Sequence, residues 1–299
     1  MKKLTYLAGW WFNARLRGIK RPLQTCIYVS DLCNLKCKHC AIYARGEANT
    51  KTFEKVCEEL TMAYNDGTRF VDFQGGEPTL WKDGDKTLND LIRHAKKVGY
   101  YSCTVTTNAT RPFPGLECDS IWVSLDGIGE FHDWVRGEGA FEKLLANVES
   151  CGHKALSVNM VVNSHNYTAV EDTIRFAKEH PVIQSISINF HTPNEETQYL
   201  FLDWPIRNQV IDKVLEMKRQ GYPVMNSSSG LNYMRGNEFE KPCWISSFIW
   251  ADGTYYKYCP GYDRNACERC GFAIAGEMKS VFEFNIDTIL AGLKLRVRN

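Results

Sequence analysis

The chain has 299 residues, of which 44% are hydrophobic, and its 36 basic side chains nearly balance 35 acidic ones. This length can bury one large core with a small appendage, and the balanced charge gives no field that would recruit nucleic acid. No apolar stretch approaches the roughly 20 residues that span a bilayer. Twelve cysteines without a cleavable signal peptide favour a reducing cytoplasm and metal ligation over disulfides.

The first predicted element is a basic arm, residues 1–24. Residues 1–21 carry six cations, and no acidic residue occurs before Asp31. Five apolar residues recur there at helical spacing: Leu4, Leu7, Trp10, Trp11 and Ala14. Such a helix can contact the inner face of the membrane, where cations meet anionic lipid, or it can dock against the base of the folded domain. The sequence leaves both interpretations open.

From residue 25 onward, strand-like and helix-like segments alternate, which predicts a parallel sheet with helices outside it. The predicted strands cover residues 25–30, 69–73, 101–107, 120–125, 154–162 and 182–190. The predicted helices cover residues 53–64, 87–98, 141–150, 167–179 and 205–220. Together they predict an α/β domain over residues 25–220.

Three cysteines follow the first predicted strand: Cys33, Cys37 and Cys40, in the run CNLKCKHC. Cys thiolates hold iron–sulfur clusters, and a complete 4Fe–4S site takes four of them. Three thiolates can hold one cluster and leave one iron open. The alternatives are a zinc knuckle with His39 as the fourth ligand, or a chance grouping in a cysteine-rich chain.

The second predicted strand leads into a glycine-containing motif: Gln74, Gly75, Gly76, Glu77 and Pro78. Glycines at a strand end let a ligand approach the backbone closely. Together with the cysteine triplet, this motif resembles the radical S-adenosylmethionine (SAM) superfamily. Gly75 to Pro78 match its GGE-type motif position by position, and Gln74 extends the match.

The resemblance implies a partial (β/α)6 radical SAM barrel in which SAM binds the open iron of the Cys33/Cys37/Cys40 cluster. Reductive cleavage of SAM to a 5′-deoxyadenosyl radical would then modify a substrate. An electron donor such as flavodoxin or ferredoxin would be a partner. All the motifs fall at C-terminal strand ends, the face where barrel enzymes place their sites.

The resemblance also assigns SAM contacts outside the cysteines. His39 would lie near adenine, and the motif from Gln74 to Pro78 would bind SAM, with its GGE-type part contacting the methionine amino group. Asn108 would lie near the ribose and methionine, although Ala109 departs from the family's TNG pattern. Ser124 and Arg136 would bind the carboxylate and hydroxyls of SAM. The alternatives are an Asx turn at Asn108 and a solvated surface charge at Arg136.

One further cysteine, Cys103, lies on the third predicted strand. If its thiol faced the lumen of the barrel, it could donate a hydrogen atom to a product radical. The alternative is a cysteine packed in the core.

Four late cysteines follow the last predicted helix: Cys243, Cys259, Cys267 and Cys270. Asp252-Gly253 lies between two strand-like runs and predicts a hairpin. The segment resembles the SPASM/twitch extension, which implies one auxiliary 4Fe–4S cluster held by all four cysteines. Residues 221–299 are thus predicted to form a small cysteine-rich β-hairpin/helix module, with a four-cysteine zinc site as the alternative.

The sequence leaves three hypotheses for function. The first is a peptide or protein maturase, favoured by the QGGEPTL, SLDG and HDxxRG matches. The second is a lipid or isoprenoid enzyme, because residues 226–235, Cys243-Trp244 and the late CERCG loosely resemble the hopanoid-adenosylating branch. The third is a non-catalytic iron–sulfur or zinc protein, which explains the cysteines but not the SAM-contacting motifs.

Overall fold

The computed structural model of the protein describes residues 2–40, 48–262 and 266–297, with side chains up to residue 293. Residues 1, 298 and 299, which the predicted terminal domains include, lie outside the described residues. The strands are β1 (Gln24–Tyr28), β2 (Phe70–Gln74), β3 (Lys82–Asp83), β4 (Lys86–Thr87), β5 (Ser102–Thr107), β6 (Ser120–Ser124), β7 (Leu156–Val162), β8 (Ile183–Phe190), β9 (Ser246–Ile249) and β10 (Tyr255–Tyr256). The helices are α1 (Lys2–Leu16), α2 (Phe53–Asp66), α3 (Leu88–Val98), α4 (Glu130–Arg136), α5 (Ala140–Ser150), α6 (Val170–Glu179), α7 (Trp204–Arg219), α8 (Ser228–Tyr233), α9 (Ala273–Phe282) and α10 (Ile286–Val297).

One large sheet organises the described part of the chain, with strand order β10-β9-β1-β2-β5-β6-β7-β8. Strands β1, β2, β5, β6, β7 and β8 are parallel to their neighbours. They match the six predicted strands to within two residues at each end. The predicted α/β class with a partial barrel is therefore confirmed.

The helices cover one face of this sheet, and α3 shows why the sequence folds in this way. Its four buried residues, Leu88, Leu91, Ile92 and Ala95, lie on one helix face at the spacing of an amphipathic helix. A capping box between Thr87 and Asp90 begins the helix. Such apolar faces and the alternate residues of the strands form one continuous core.

Cys103 belongs to that core. It pairs in register with Val71, and both side chains are packed in the hydrophobic cluster beneath the helices. Cys103 is fully buried on the helix side of the sheet, so its thiol does not face the lumen. The structure therefore supports the packed alternative.

The C-terminal hairpin extends the barrel sheet. Strand β9 is parallel to β1, with Gln24 opposite Ser246, and β10 is antiparallel to β9. Gln24 Nε2 also donates to Ser246 Oγ at 2.9 Å. The predicted hairpin is present, but it shares a sheet with the barrel that precedes it.

The helices that follow the hairpin are joined by a buried polar network. Glu277 on α9 accepts hydrogen bonds from the Ser227 backbone N–H at 2.9 Å and from the Ser227 hydroxyl at 2.6 Å. Thr288 on α10 lies 2.7 Å from the same hydroxyl. Burial raises the pKa of Glu277 to about 7, although its hydrogen bonds with Ser227 oppose this shift.

Helix α1 docks at the N-terminal end of the sheet. Trp10 packs in a cluster with Leu23, Phe70 and Ile245, and its indole N–H donates to Arg21 O at 2.8 Å. This contact agrees with the docking interpretation of the arm. The opposite side of α1 remains open to solvent, with Phe12 50% and Leu16 63% exposed. Among the described residues, no helix is long and apolar enough to cross a membrane.

Candidate active site

The loop that carries the cysteine triplet is held by the glycine motif. The backbone N–H of Gly76 donates to Ser30 O at 2.7 Å, and that of Glu77 donates to Leu32 O at 2.7 Å. A Cβ atom on Gly75 would lie 2.4 Å from Ser30 O, and one on Gly76 would lie 2.3 Å from Leu32 O. The close approach expected of a ligand is therefore made by the chain itself, and it fixes the residues just before Cys33.

The three thiols of the triplet lie near one another at the end of this loop. Burial raises the pKa of Cys37 to about 11, and the neighbouring Cys40 and Cys33 thiols contribute to the shift. Arg136 opposes it, and its Nη1 lies 3.9 Å from Cys37 Sγ. The Asn108 side-chain amide donates to Cys33 Sγ at 3.8 Å. Because a metal ligand must be a thiolate, a cation and a donor beside these sulfurs suit cluster binding.

Arg136 is fixed by a carboxylate for which the sequence suggested no role. Its Nε donates to Asp126 Oδ2 at 2.7 Å, and both side chains are buried. Asp126 Oδ1 in turn accepts the backbone N–H of Val161 at 2.9 Å. The surface-charge alternative for Arg136 is therefore wrong, because the guanidinium lies inside the protein between Asp126 and Cys37.

Glu77 binds neighbouring strand ends together. Its Oε1 accepts the hydroxyls of Thr79 and Thr107 at 2.6 and 2.7 Å, and its Oε2 accepts the Asn108 backbone N–H at 2.8 Å. The carboxyl is 1% exposed. Glu77 thus positions Asn108, while Pro78 begins the short 3₁₀ turn Pro78–Leu80 that follows.

Asn108 combines two functions in this structure. Its Oδ1 accepts from the Thr110 backbone N–H at 2.9 Å, which is the Asx-turn geometry of the alternative interpretation. Its side-chain N–H₂ group reaches Asn34 Oδ1 at 3.1 Å as well as Cys33. The turn and the contact with the cysteine loop are therefore compatible.

His39 lies in a pocket of buried polar groups. Its Nε2 is 3.9 Å from Asp126 Oδ2, and its ring centroid is 6.3 Å from that of His191. Its Nδ1 is buried and has no hydrogen-bond partner among the described residues. Burial lowers the pKa of His39, although Asp126 opposes this shift. A neutral imidazole with an unused nitrogen is suited to a heterocyclic ligand.

The inner face of the sheet, called here the lumen face, is polar from β2 to β8. The cross-strand register places the following residues on it: Asp72, Gln74, Thr104, Thr106, Ser120, Trp122, Ser124, Ser157, Asn159, Val161, Ser185, Ser187 and Asn189. Several are linked, for example Gln74 Nε2 to Asp72 Oδ2 at 2.6 Å and Asn189 Nδ2 to Asn159 Oδ1 at 2.6 Å. Ser124 and Gln74, both predicted to contact SAM, thus belong to one hydrogen-bonding surface.

The other wall of the lumen is aromatic. Tyr28 and Trp250 pack with ring centroids 4.4 Å apart, and Cys26 and Ala251 complete the buried cluster. This wall is formed by β1 and the C-terminal hairpin. The lumen is therefore lined by hydrogen-bonding groups on one side and by rings on the other.

The four late cysteines also come together. The backbone N–H of Cys259 donates to Cys243 O at 3.1 Å, and that of Cys270 donates to Cys267 O at 3.3 Å. Burial raises the pKa of Cys243 to about 12, with further contributions from the other three thiols.

The segment after Cys270 is anchored to β8. The backbone N–H of Phe190 donates to Gly271 O at 2.9 Å, and a Cβ atom on Gly271 would meet Phe190 O at 1.7 Å. Only glycine fits this contact, which places Cys270 beside the sheet.

Neither cysteine group is arranged around a single ion. Within residues 2–40, 48–262 and 266–293, no three His, Cys, Asp or Glu side chains form a group that could hold one metal ion. A cluster is held differently, because each thiolate binds a separate iron. Cysteine sulfurs, buried donors and nearby cations make both groups chemically suited to iron–sulfur clusters.

Comparison with known proteins gives the following matches. A family model described as the Radical SAM superfamily matches residues 27–177. The Fe-coproporphyrin III synthase of Methanosarcina barkeri (strain Fusaro / DSM 804) is 26% identical over 213 residues, which are 64% of this chain and 51% of that protein. The chain thus spans about half the length of this curated relative.

Two solved proteins have the same fold at low sequence identity. Streptococcus suis SuiB, solved with S-adenosylmethionine, aligns with a TM-score of 0.67 at 16% identity, over 98% of this chain and 71% of that chain. SuiB has also been solved bound to the precursor peptide SuiA. The protein anSMEcpe, with bound AdoMet and Cp18Cys peptide, aligns with a TM-score of 0.58 at 19% identity, over 92% of this chain and 83% of that chain.

Proposed function

The chain belongs to the radical SAM superfamily, and we propose that it uses S-adenosylmethionine to modify a peptide or protein substrate bound in the lumen. Membership of this family disfavours the non-catalytic hypothesis. The polar lumen face is the observation that favours a peptide substrate, because peptide amides need hydrogen-bond donors and acceptors on the wall of their site.

Cys33, Cys37 and Cys40 would hold the SAM-binding 4Fe–4S cluster. With SAM bound, this cluster supplies reductive cleavage of SAM and the radical chemistry that follows. The protein contributes the placement of the loop through Gly75 and Gly76.

The buried polar groups around the triplet would orient the cofactor. Arg136, held by Asp126, stabilises the Cys37 thiolate, and Asn108 donates to Cys33. His39 presents a free nitrogen toward the adenine expected beside it. Gln74 and Ser124 face the lumen, where they can bind polar atoms of SAM or substrate.

Cys243, Cys259, Cys267 and Cys270 would hold one auxiliary 4Fe–4S cluster. A flavodoxin or ferredoxin would deliver the electron to the SAM-binding cluster. SuiB and anSMEcpe, which share the fold, were solved with peptides bound, and this supports the peptide assignment.

A lipid or isoprenoid substrate is the second candidate. It is favoured by the solvent-facing side of α1, where Leu4, Phe12 and Leu16 are exposed within a basic segment. Such a face can bind an anionic membrane surface. The lumen argues against a lipid, because the hydrogen-bonded side chains of β2 to β8 offer little apolar surface to a long hydrocarbon chain.

The decisive experiment uses anaerobically reconstituted protein with SAM and dithionite. We expect 5′-deoxyadenosine in amounts that depend on SAM, and none from a variant with Cys33→Ala, Cys37→Ala and Cys40→Ala. Cluster-replete parent protein that forms no 5′-deoxyadenosine would overturn the proposal. Addition of candidate peptides or of polyprenyl lipids should then show which class raises the rate.

A further inference from the structure

A fully buried arginine on α7 lies beside the four late cysteines. Arg207 is 0% exposed and is among the largest fully buried side chains. Its Nη2 donates to the backbone carbonyl of Cys270 at 3.0 Å. Its Nε and Nη1 are buried and have no hydrogen-bond partner among the described residues.

The surroundings of this guanidinium do not explain its burial. It lies 4.3 Å from the ring centroid of Phe190 and 4.8 Å from that of Trp204. Rings attract a cation through their faces, but they offer no acceptor to the N–H groups at its edge. A buried charge without a paired anion is strongly destabilising, so the site calls for an anionic partner.

The position of the unpaired groups indicates which anion this is. A guanidinium is charged at neutral pH, and Arg207 contacts the carbonyl of Cys270, so its anionic partner must lie beside this cysteine. Cys270 is one of the four late cysteines, called here the quartet, and a 4Fe–4S core with four thiolates carries a net negative charge. Sulfur in such a cluster also accepts N–H hydrogen bonds.

A second cation near the quartet, Lys241, already has hydrogen-bond acceptors. Lys241 Nζ donates to the carbonyls of Asn237 and Phe239 at 2.9 and 3.4 Å. Burial raises the pKa of Cys270 and the charge of Lys241 opposes this rise, which places Lys241 near the four late cysteines. Arg207 differs because two of its buried donors remain unassigned.

We propose that Arg207 is the buried counter-cation of the auxiliary cluster, donating hydrogen bonds to its sulfur atoms and raising its reduction potential. This inference rests on the auxiliary cluster of the proposed function. The physical reason is that a nearby positive charge stabilises the more negative, reduced cluster, and net charge and hydrogen bonds to sulfur both set such potentials.

The test isolates the auxiliary cluster in the full chain. The background is the variant with Cys33→Ala, Cys37→Ala and Cys40→Ala, which leaves the quartet intact. Into it are placed Arg207→Met, Arg207→Lys and, as a matched control, Arg235→Met. Arg235 pairs with Asp212 at the surface. Iron and sulfide content and an EPR-monitored redox titration are measured for each, with far-UV circular dichroism to check folding.

We expect Arg207→Met to make reduction of the cluster at least about tenfold less favourable, a shift of about 59 mV to more negative potential, or to lose the cluster from folded protein. Arg207→Lys, which keeps the charge, should retain the cluster with a smaller shift. Arg235→Met should match the background. Equal potentials and iron content in the Arg207→Met, Arg207→Lys and background proteins would overturn the role of Arg207.

The same measurements give a different result if the chain holds no auxiliary cluster. If the background variant holds zinc or no iron, the auxiliary cluster is absent, and the inference about Arg207 is overturned with it. Formation of 5′-deoxyadenosine by the parent chain is then measured separately, and it reports on the Cys33/Cys37/Cys40 cluster alone.

Discussion

Asp126 and Arg136 form a buried ion pair, 2.7 Å from Oδ2 to Nε, whose other end meets a cysteine of the candidate cluster. The carboxylate comes from the end of β6 and the guanidinium from the end of α4. Neither group can be removed without leaving the other charge buried. The pair therefore connects the stability of the barrel to the protonation state of the Cys37 thiol.

The substitution Asp126→Asn tests this connection. It should lower the free energy of unfolding by about 3 kcal/mol or more, because Arg136 would remain buried without its anion. It should also reduce SAM cleavage, since Arg136 would no longer be held against Cys37. Urea unfolding and 5′-deoxyadenosine assays check both effects. Glu171→Gln, in an exposed ion pair with Lys213, serves as control and should change little.

Gly76→Ala should displace the cysteine loop. Its Cβ would lie 2.3 Å from Leu32 O, so the loop must move away from β2. We expect iron to fall from about eight per chain toward about four, because only the auxiliary cluster would remain. Gly9→Ala is the matched control, since a Cβ atom there would meet nothing within 4 Å apart from its own helix, α1. Full iron occupancy in Gly76→Ala would contradict this account of the motif.

The polar lumen face predicts that substrate turnover can be separated from SAM cleavage. Asn159→Ala removes an amide that accepts from Asn189 within the lumen. Peptide modification should fall about tenfold or more, the effect of losing roughly 1.4 kcal/mol of binding. Cleavage of SAM without substrate should stay within about twofold. Equal losses in both assays would assign Asn159 to the cofactor instead.

Glu277 predicts a pH dependence of stability. Burial raises its pKa in the folded state to about 7, whereas an exposed glutamate titrates near pH 4.3. The folded state thus keeps a proton that the unfolded state loses, and stability falls as the pH rises between these two values. In the parent protein the free energy of unfolding should fall between pH 5 and pH 8, and Glu277→Gln should make this fall smaller by up to about 3 kcal/mol. Urea unfolding at the two pH values measures the difference. In the exposed control Glu283→Gln the dependence should persist.

The exposed side of α1 predicts binding to anionic vesicles. Deleting residues 1–21 would remove Trp10 from its cluster, so surface substitutions give a cleaner test. Phe12→Ser with Leu16→Ser should abolish co-sedimentation with phosphatidylglycerol vesicles, while Met62→Ser on α2 should not. If the parent protein itself fails to sediment, α1 has only its docking role.

Sequence patterns were sufficient to predict the barrel because the signals for its strands and motifs are local. Alternating apolar residues define each strand, and the GGE-type motif and the cysteine triplet are short and continuous. The pairing of β9 with β1 could not be read in this way, since it joins segments more than 200 residues apart, such as Gln24 and Ser246. A parallel partner that distant leaves no local signal.

The contacts of the buried polar groups could not be predicted from the sequence either. Asp126 was part of a quoted motif, yet its contact with Arg136 depends on how β6 and α4 meet. Arg207 lies within a predicted helix, where an arginine is normally solvated. Its burial became visible only from the packing of α7 against the cysteine segment.

The parallel arrangement of β1 and β9 also determines how far Cys33 lies from Cys243 along these strands. Cys33 follows the C-terminal end of β1, whereas Cys243 precedes the N-terminal end of β9, its neighbour in the sheet. Along these strands, Cys33 and Cys243 are therefore separated by about the five residues of β1, or roughly 16 Å, whereas Cys270 lies beside Phe190 at the C-terminal end of β8. The late cysteines thus join the hairpin at one edge of the sheet to β8 at the other edge, across the open side of the partial barrel.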